Sequence, residues 1–376
     1  MAVEEDELHG DILEAVFAHV PLVHLVAAAA VSGEWNDAVS ASLRYLKPPR
    51  PWLIVHEQST RAPYSISARA YDPRSDIWID VPSPPMDWSA GAYHLDSSNS
   101  GFLFAHGGSR LRFSSDALNF EWRDLDPPAV SRCDAIVARV GDFVVVAGGA
   151  WDFEDDAFAV EAYDLKSGER FDCDSMPLSD GDSGNLTSLS VAVAGEKSLV
   201  VASKETGVTH WFDPETRSWS GPSKLAPDVQ LISRYLIGCT NQGLVLVGVC
   251  GPENIKVWRI DQRNSGRPYE IGEMPPEFAR KVKSANFGYA SLNVAAAGCM
   301  IYLYNDTWDV QEVVACELLA GGGCGWWSVR HVAAREDLIG IRLVYTCSEV
   351  GIEELRSALR TGFSYYRNFK KTGKIV

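Results

Sequence analysis

The chain carries eight histidines and eight cysteines, and their spacing is the first test for an enzyme or a metal centre. The histidines, at 9, 19, 24, 56, 94, 106, 210 and 331, never fall at the i, i+4 spacing that puts two ligands on one helix face. The cysteines, at 133, 173, 239, 250, 299, 316, 324 and 347, form no C-x-x-C pair and no catalytic-cysteine signature. No G-x-S-x-G nucleophile elbow is present, and GGGCG at 321–325 lacks the Lys-Ser/Thr of a phosphate loop, so it reads as a turn. Asp180, Asp182 and Asn185 in SDGDSGN have the oxygen ligands a cation needs, but a glycine-rich exposed loop is the plainer reading. The acidic run at 154–156 reads as a loop as well. No catalytic, cofactor-binding or metal-binding residue is therefore nominated, and no cofactor is expected.

Composition narrows the remaining classes. A net charge of −16 opposes general nucleic-acid binding, which needs clustered cations. The one basic stretch, Arg356, Arg360, Arg367, Lys370, Lys371 and Lys374, reads as a solvated tail. Dispersed cysteines fit reduced, buried thiols of an intracellular protein, and the N-x-T triplets at Asn185 and Asn305 read as chance matches. The acidic start, MAVEEDELHGD, is unlike a secretory leader, and the apolar stretch 21–31 is too short to span a bilayer. No membrane partner is expected, and the expected location is cytoplasm, nucleus or both.

What must position any site is a repeat. AYDPRSDIW at 70–78 and WFDPETRSW at 211–219 place Asp72 and Asp213 141 residues apart, three units of 47. Weaker copies at Asp116, Asp164 and Asp261 make the successive spacings 44, 48, 49 and 48. Upstream of each lies an apolar, β-branched run: WLIVHE, GFLFAHGG, DFVVVAGG, SLVVAS and GLVLVGVCG. Gly107-Gly108 and Gly148-Gly149 end two of these runs where the backbone must turn tightly. A more worn sixth unit runs from Asn293 to Trp327. A period near 48 suits the four-stranded blade of a β-propeller. Each aspartate is expected to make the turn between a blade's third and fourth strands, and Trp78, Trp122, Phe171 and Trp219 to fill the gaps between blades as core residues. The first blade has only three obvious strands. The segment 338–346 is expected to supply its fourth and fasten the ring, with a helix over 350–359 after it.

The first 47 residues are different. Leu8, Ile12, Leu13, Val16, Phe17 and Val20 recur at helical spacing, Pro21 stops that helix, and Leu25 and Val26 carry a second. Ser32 is placed to cap a third, along which Val31, Trp35, Val39 and Leu43 recur every four residues. KPPRP at 47–51 is a stiff linker, its stretch 48–51 leading into the propeller at 52–348 and a C-terminal helix and tail at 349–376.

The stretch from Leu8 to Val39 resembles an F-box, the helical module that docks on the Skp adaptor of cullin-RING ubiquitin ligases. The matching positions are Leu8, Asp11, Ile12, Leu13, Val20-Pro21, Leu25, Val31 and Trp35, with departures at His9, Ser32, Gly33 and Glu34. With Val16 these are the adaptor-binding residues that the resemblance implies. Gly-Gly, then Tyr-Asp, then Trp resembles the kelch repeat over 51–329. The fold class is thus mainly β, a six-bladed kelch-type propeller preceded by an all-α F-box module. The order is similar to a large plant family of F-box/kelch-repeat proteins. The resemblance implies a non-catalytic substrate receptor of an SCF-type ligase, its propeller loops holding a target protein for degradation. Within the family the chain looks like the subgroup that directs turnover of phenylpropanoid and flavonoid enzymes such as chalcone synthase. The competing class is a propeller enzyme or free-standing scaffold whose helices merely cap the ring.

Overall fold

The structure, a computed structural model, describes residues 10–46, 49–61, 64–81, 93–107, 110–116, 118–132, 134–150, 155–178, 187–225, 227, 232–260, 268–331, 340–359, 365–366 and 372–373. Leu8, His9, Gly108, Cys133, Asp180, Asp182, Asn185, Asp261 and the basic residues beyond Arg356 lie outside that set. Six antiparallel sheets stand as blades around one axis. Blades two to six take consecutive strands within 94–125, 136–173, 189–224, 234–273 and 292–330. Blade one takes Trp52–Ser59, Ile66–Asp72 and Ile77–Val81, and its innermost strand is Ile341–Ser348 from the far end of the chain. That strand pairs with all of Trp52–Ser59, from Trp52 opposite Ser348 to Ser59 opposite Ile341.

The apolar runs of the sequence are the second strands of their blades. Neighbouring blades cover both faces, so Leu53–Val55, Phe102–Ala105, Val144–Ala147, Leu199–Ala202 and Leu244–Val247 are buried without alternation. At the inner edges, where ladder N–H groups lack a strand, side chains step in. Ser98 Oγ accepts from Val137 N of the next blade at 2.9 Å, and Ser190 Oγ accepts from Ile237 N at 2.9 Å.

The repeated aspartates close one turn four times. Asp72, Asp116, Asp164 and Asp213 each accept the N–H two residues on, at 2.8–2.9 Å. The fourth residue after each, Asp76, Phe120, Gly168 or Arg217, has φ between 52° and 75°. Only one of the four uses glycine there; the aspartate's bonds hold the other three in the left-handed region.

The aromatic residues fill the gaps between blades, with one exception. Tyr71 and Trp78 pack with Tyr302 and Val313 of blade six, Trp122 against blade one, and Trp219 against Met176 of blade three. Trp219 also donates from Nε1 to Asp174 O at 2.8 Å. Of the four expected core residues only Trp78 is buried; Trp122 and Trp219 are half-buried against their clusters, and Phe171, also half-buried, lies instead under the Arg217 guanidinium of blade four at 3.7 Å. The reason is parity. Trp78 and Trp219 stand opposite Tyr71 and Phe212, on one face with them, whereas the extra residue after Asp164 puts Arg170 opposite Tyr163 and turns Phe171 to the other face. Tyr163 fills the gap toward blade two instead.

Three helices precede the ring: α1 (Asp11–Phe17), α2 (Leu22–Ala28) and α3 (Gly33–Ser42). Ser32 caps α3, its Oγ accepting from Trp35 N at 3.2 Å. A short helix, α4 (Pro276–Lys281), lies between blades five and six, and α5 (Ile352–Leu359) follows the closing strand. Helix α5 is sandwiched between α2 and blade one: Val23, Trp52, Leu355 and Ala358 share one buried cluster, and Arg356 donates to Asn36 Oδ1 at 3.0 Å. The tail, expected as solvated, is described at two points only, and both are paired: Tyr365–Tyr366 with the outer strand of blade one, Thr372–Gly373 with that of blade six.

Removal of residues 341–376 is expected to abolish cooperative unfolding or to lower the melting temperature by more than about 10 °C, read by circular dichroism; an unchanged melt would show that the ring closes without its last strand. A second prediction concerns acid. His56 is fully buried beside Thr346, with Nε2 and Thr346 Oγ1 3.0 Å apart, and burial pulls it down to about 3. Burial likewise lowers His106 and His331 to about 4. Since the unfolded chain takes up these protons first, the stability that neutral histidines contribute is complete above about pH 6.5 and is lost as pH falls toward 4 and below. Melting temperature should drop across that window, and drop less in His56→Leu; an identical drop in both would refute the assignment for His56.

Candidate interaction surfaces

The residues implied for adaptor docking divide into two sets. Leu13, Phe17, Leu25, Ala38 and Val39 form the module's own core, with Trp35 edge-on to Phe17 at 5.2 Å between ring centres. Leu13 and Leu25 are buried there and hold the helices together; Val20, Pro21 and Trp35 are half-buried at its margin. Asp11 is exposed, and so are Ile12 (60%), Val16 (49%) and Val31 (62%). Ile12 and Val16 are one helical turn apart on α1, so the same short amphipathic helix seals the module with Leu13 and Phe17 and offers aliphatic side chains outward. Arg44 pairs with Glu14 at 2.5 Å and ties the segment after α3 to α1. Ile12, Val16 and Val31 thus leave exposed aliphatic side chains on the module.

The second surface is a cavity of about 450 Å³ on the propeller axis. Each inner strand begins at its mouth and runs toward the end where α5 and the helical module sit: Ile341 and Arg342 line the cavity, while Ser348 leads to Val350 and α5. Ser100 crosses its floor, its carbonyl accepting from Cys347 N of blade one and its Oγ from Ala296 N of blade six at 2.7 Å. The walls carry three carboxyl groups, Asp96, Asp134 and Asp306, and three cations, Lys204, Arg234 and Arg342. Arg342 pairs with Asp96, which burial pushes upward and the guanidinium holds down. Lys204 is buried and donates to Asn293 Oδ1 at 2.8 Å and Thr187 O at 3.1 Å. Asn293 in turn donates from Nδ2 to Asp306 Oδ2 at 2.5 Å. Protein surrounds Asp306 and pushes its carboxyl up to about 7, yet the cavity leaves it open to water, which moderates that shift. His331, buried under Tyr345, stays neutral.

None of these six charged residues was singled out by sequence reasoning. The available signal was positional. Arg342, Asp96, Asp134, Arg234 and Asn293 stand within two or three residues of the start of a first strand, and Lys204 and Asp306 stand one residue past the end of a second. In a propeller those two places meet at the axis, as Leu189 opposite Ser203 and Leu292 opposite Asn305 show. Among the described residues no group of three or more His, Cys, Asp or Glu side chains is placed to hold a metal ion.

Comparison with known proteins bears on the whole chain. No protein-family model matches it. Among solved structures, that of YjhT shares 12% identity, covers 67% of this chain and 96% of its own, and has a TM-score of 0.37, too slight a likeness to argue from. An F-box/kelch-repeat protein of Arabidopsis thaliana is 38% identical over 386 aligned positions, covering 98% of this chain and 96% of that protein. With the helical module, the six blades and this identity along nearly its full length, the chain belongs to the F-box/kelch-repeat proteins.

Proposed function

We propose that the chain is a substrate-recognition subunit of an SCF-type cullin-RING ubiquitin ligase, with the helical module docking on a Skp-family adaptor and the propeller receiving a target protein. The observation that carries the reading is the division of the helical module. Its core is complete without a partner, yet Ile12, Val16 and Val31 remain exposed on it. Family membership supports a receptor role in general. The chain then makes and breaks no bond; it raises the effective concentration of target lysines near a charged conjugating enzyme. Helix α5 serves this role by packing between the module and blade one, so that an adaptor and a target would meet opposite ends of the ring. The location that suits this work is the cytoplasm, the nucleus or both. The resemblance to receptors that direct turnover of flavonoid enzymes makes chalcone synthase the first target to assay.

The discriminating variants follow from exposure. Trp35→Ala would empty part of the module's core and confuse folding with docking. Ile12→Asp with Val16→Asp changes only exposed side chains and should leave the melting temperature within a few degrees. Expected in a pull-down is capture of a Skp adaptor by the wild-type chain and at least about a tenfold loss in the double variant, as removal of hot-spot contacts produces. Equal capture by both, or none by the wild type, would end the ligase reading.

A further inference from the structure

Two thiols of blade six are neighbours across a hairpin. Its outer strands, Glu312–Leu318 and Cys324–Arg330, put Cys316 opposite Trp326 and Cys324 opposite Leu318, so both cysteines point to one face. Leu319 N donates to Gly323 O at 3.2 Å, which makes these the close, non-hydrogen-bonded pairs of the ladder. The right-handed twist draws diagonal neighbours on that face together, and the Cys316 thiol is directed at the Cys324 sulfur. Cys316, Leu318 and Trp326 are buried in the cluster between blades five and six, and Cys324 packs against it. Only Cys324 reaches the margin. It is half-buried, its sulfur 3.7 Å from Ile271 O and against Gly272 of blade five's outer strand. A Cβ at Gly272 would come within 2.5 Å of that sulfur, so the glycine leaves it room.

The two sulfurs differ in reactivity. Among the seven described cysteines, burial pushes six thiols upward, Cys316 among them. Cys324 departs from the rest: the Cys316 thiol, donating to its sulfur, holds it below the ordinary thiol range. The thiolate is the attacking form of cysteine, so Cys324 is the nucleophile and Cys316 its enclosed partner. The backbone around Cys324 can adjust as a bond forms. Three glycines at 321–323 precede it and Gly325 follows, and Gly322 and Gly323 already stand in the left-handed region at φ 89° and 83°.

We propose that Cys316 and Cys324 form an oxidation site, reduced at rest and joined in a disulfide by hydrogen peroxide. The Cys324 thiolate attacks one peroxide oxygen, the O–O bond breaks, and Cys324 becomes a sulfenic acid while the released hydroxide takes up the thiol's proton as water. The Cys316 sulfur then attacks the sulfenic sulfur, and its own proton leaves with the departing hydroxyl as a second water. The two thiols together lose two electrons, and one peroxide is reduced to two waters. The new bond ties the two outer strands of blade six at their shared end, and a dithiol reductant reverses it. Docking on an adaptor plays no part in this chemistry.

The test treats the folded, fully reduced full chain with hydrogen peroxide, then unfolds it in iodoacetamide to block every thiol that remains. Cleavage after Glu312 and Glu317 places Cys316 and Cys324 on separate peptides, so mass spectrometry finds them joined only where the disulfide has formed. That link should exceed any other cysteine pairing at least about tenfold and disappear with dithiothreitol. In the untreated folded chain, Cys324 should take up iodoacetamide at least about tenfold faster than Cys299 or Cys347. Cys316→Ala should let Cys324 run on to the sulfinic acid, and Cys324→Ala should leave Cys316 a free thiol. Melting curves identify a variant that fails to fold, in which case the wild-type peptide map decides alone. The proposal falls if peroxide leaves both thiols open to alkylation, if Cys324 of the wild-type chain reaches the sulfinic acid without linking to Cys316, or if Cys324 links as readily to another cysteine. Because no adaptor is present, either result leaves the adaptor pull-down to stand or fall separately.

Discussion

Everything in this molecule depends on a strand the chain supplies last. Blade one has three strands of its own, and its exposed inner edge would leave Trp52–Ser59 unpaired at the centre of the ring. Ile341–Ser348 covers that edge over eight residues and simultaneously becomes the wall between blades two and six. An open sheet edge is a site for uncontrolled pairing, and closing the ring through backbone bonds between the chain's two ends removes it. The same strand delivers α5 directly beneath blade one. Since α5 is what α2 rests on, the position of the helical module is a consequence of ring closure.

The blades show how little a repeat needs to preserve. Four turns share an aspartate that accepts the N–H two residues later and a left-handed residue two positions after that, although the left-handed residue is Asp76, Phe120, Gly168 or Arg217. The turn is carried by the side-chain oxygen, and identity elsewhere is free. Length is not free. One added residue after Asp164 changed which face Phe171 occupies, and the cation stacked on it, Arg217, is the left-handed residue of the next blade's turn. The gap that Phe171 left is filled by Tyr163, the residue before the aspartate.

The two ends of the ring have different characters. One end carries the aspartate turns, α5 and the helical module, whose outward side chains are aliphatic. The other opens into the axial cavity, where six charged side chains gather and Arg342 pairs with Asp96. Aliphatic surface at one end and a charged cavity at the other give the two ends of the ring unlike chemistry.

Much of this was legible in the residues. The period of the aspartates yields the blades, the unbroken apolar runs yield their second strands, and the missing strand of blade one points to the segment near 341, because these are local patterns that hydrogen bonding and burial impose on any chain folding this way. For the helical module, spacing located the helices but could not divide Leu13 and Leu25, which face inward, from Ile12 and Val16, which face out. An apolar residue at helical spacing is equally suited to a core and to a partner. The cavity was least visible. Asp96, Lys204, Arg234, Asp306 and Arg342 come from five of the six blades, each an ordinary polar residue at the end of a strand, and only closure of the ring brings them around one space. Sequence by itself determined the elements and their order, since those follow from neighbours along the chain. Which side chains face one another across the axis was decided by tertiary structure, because it depends on distances between residues that no local pattern relates.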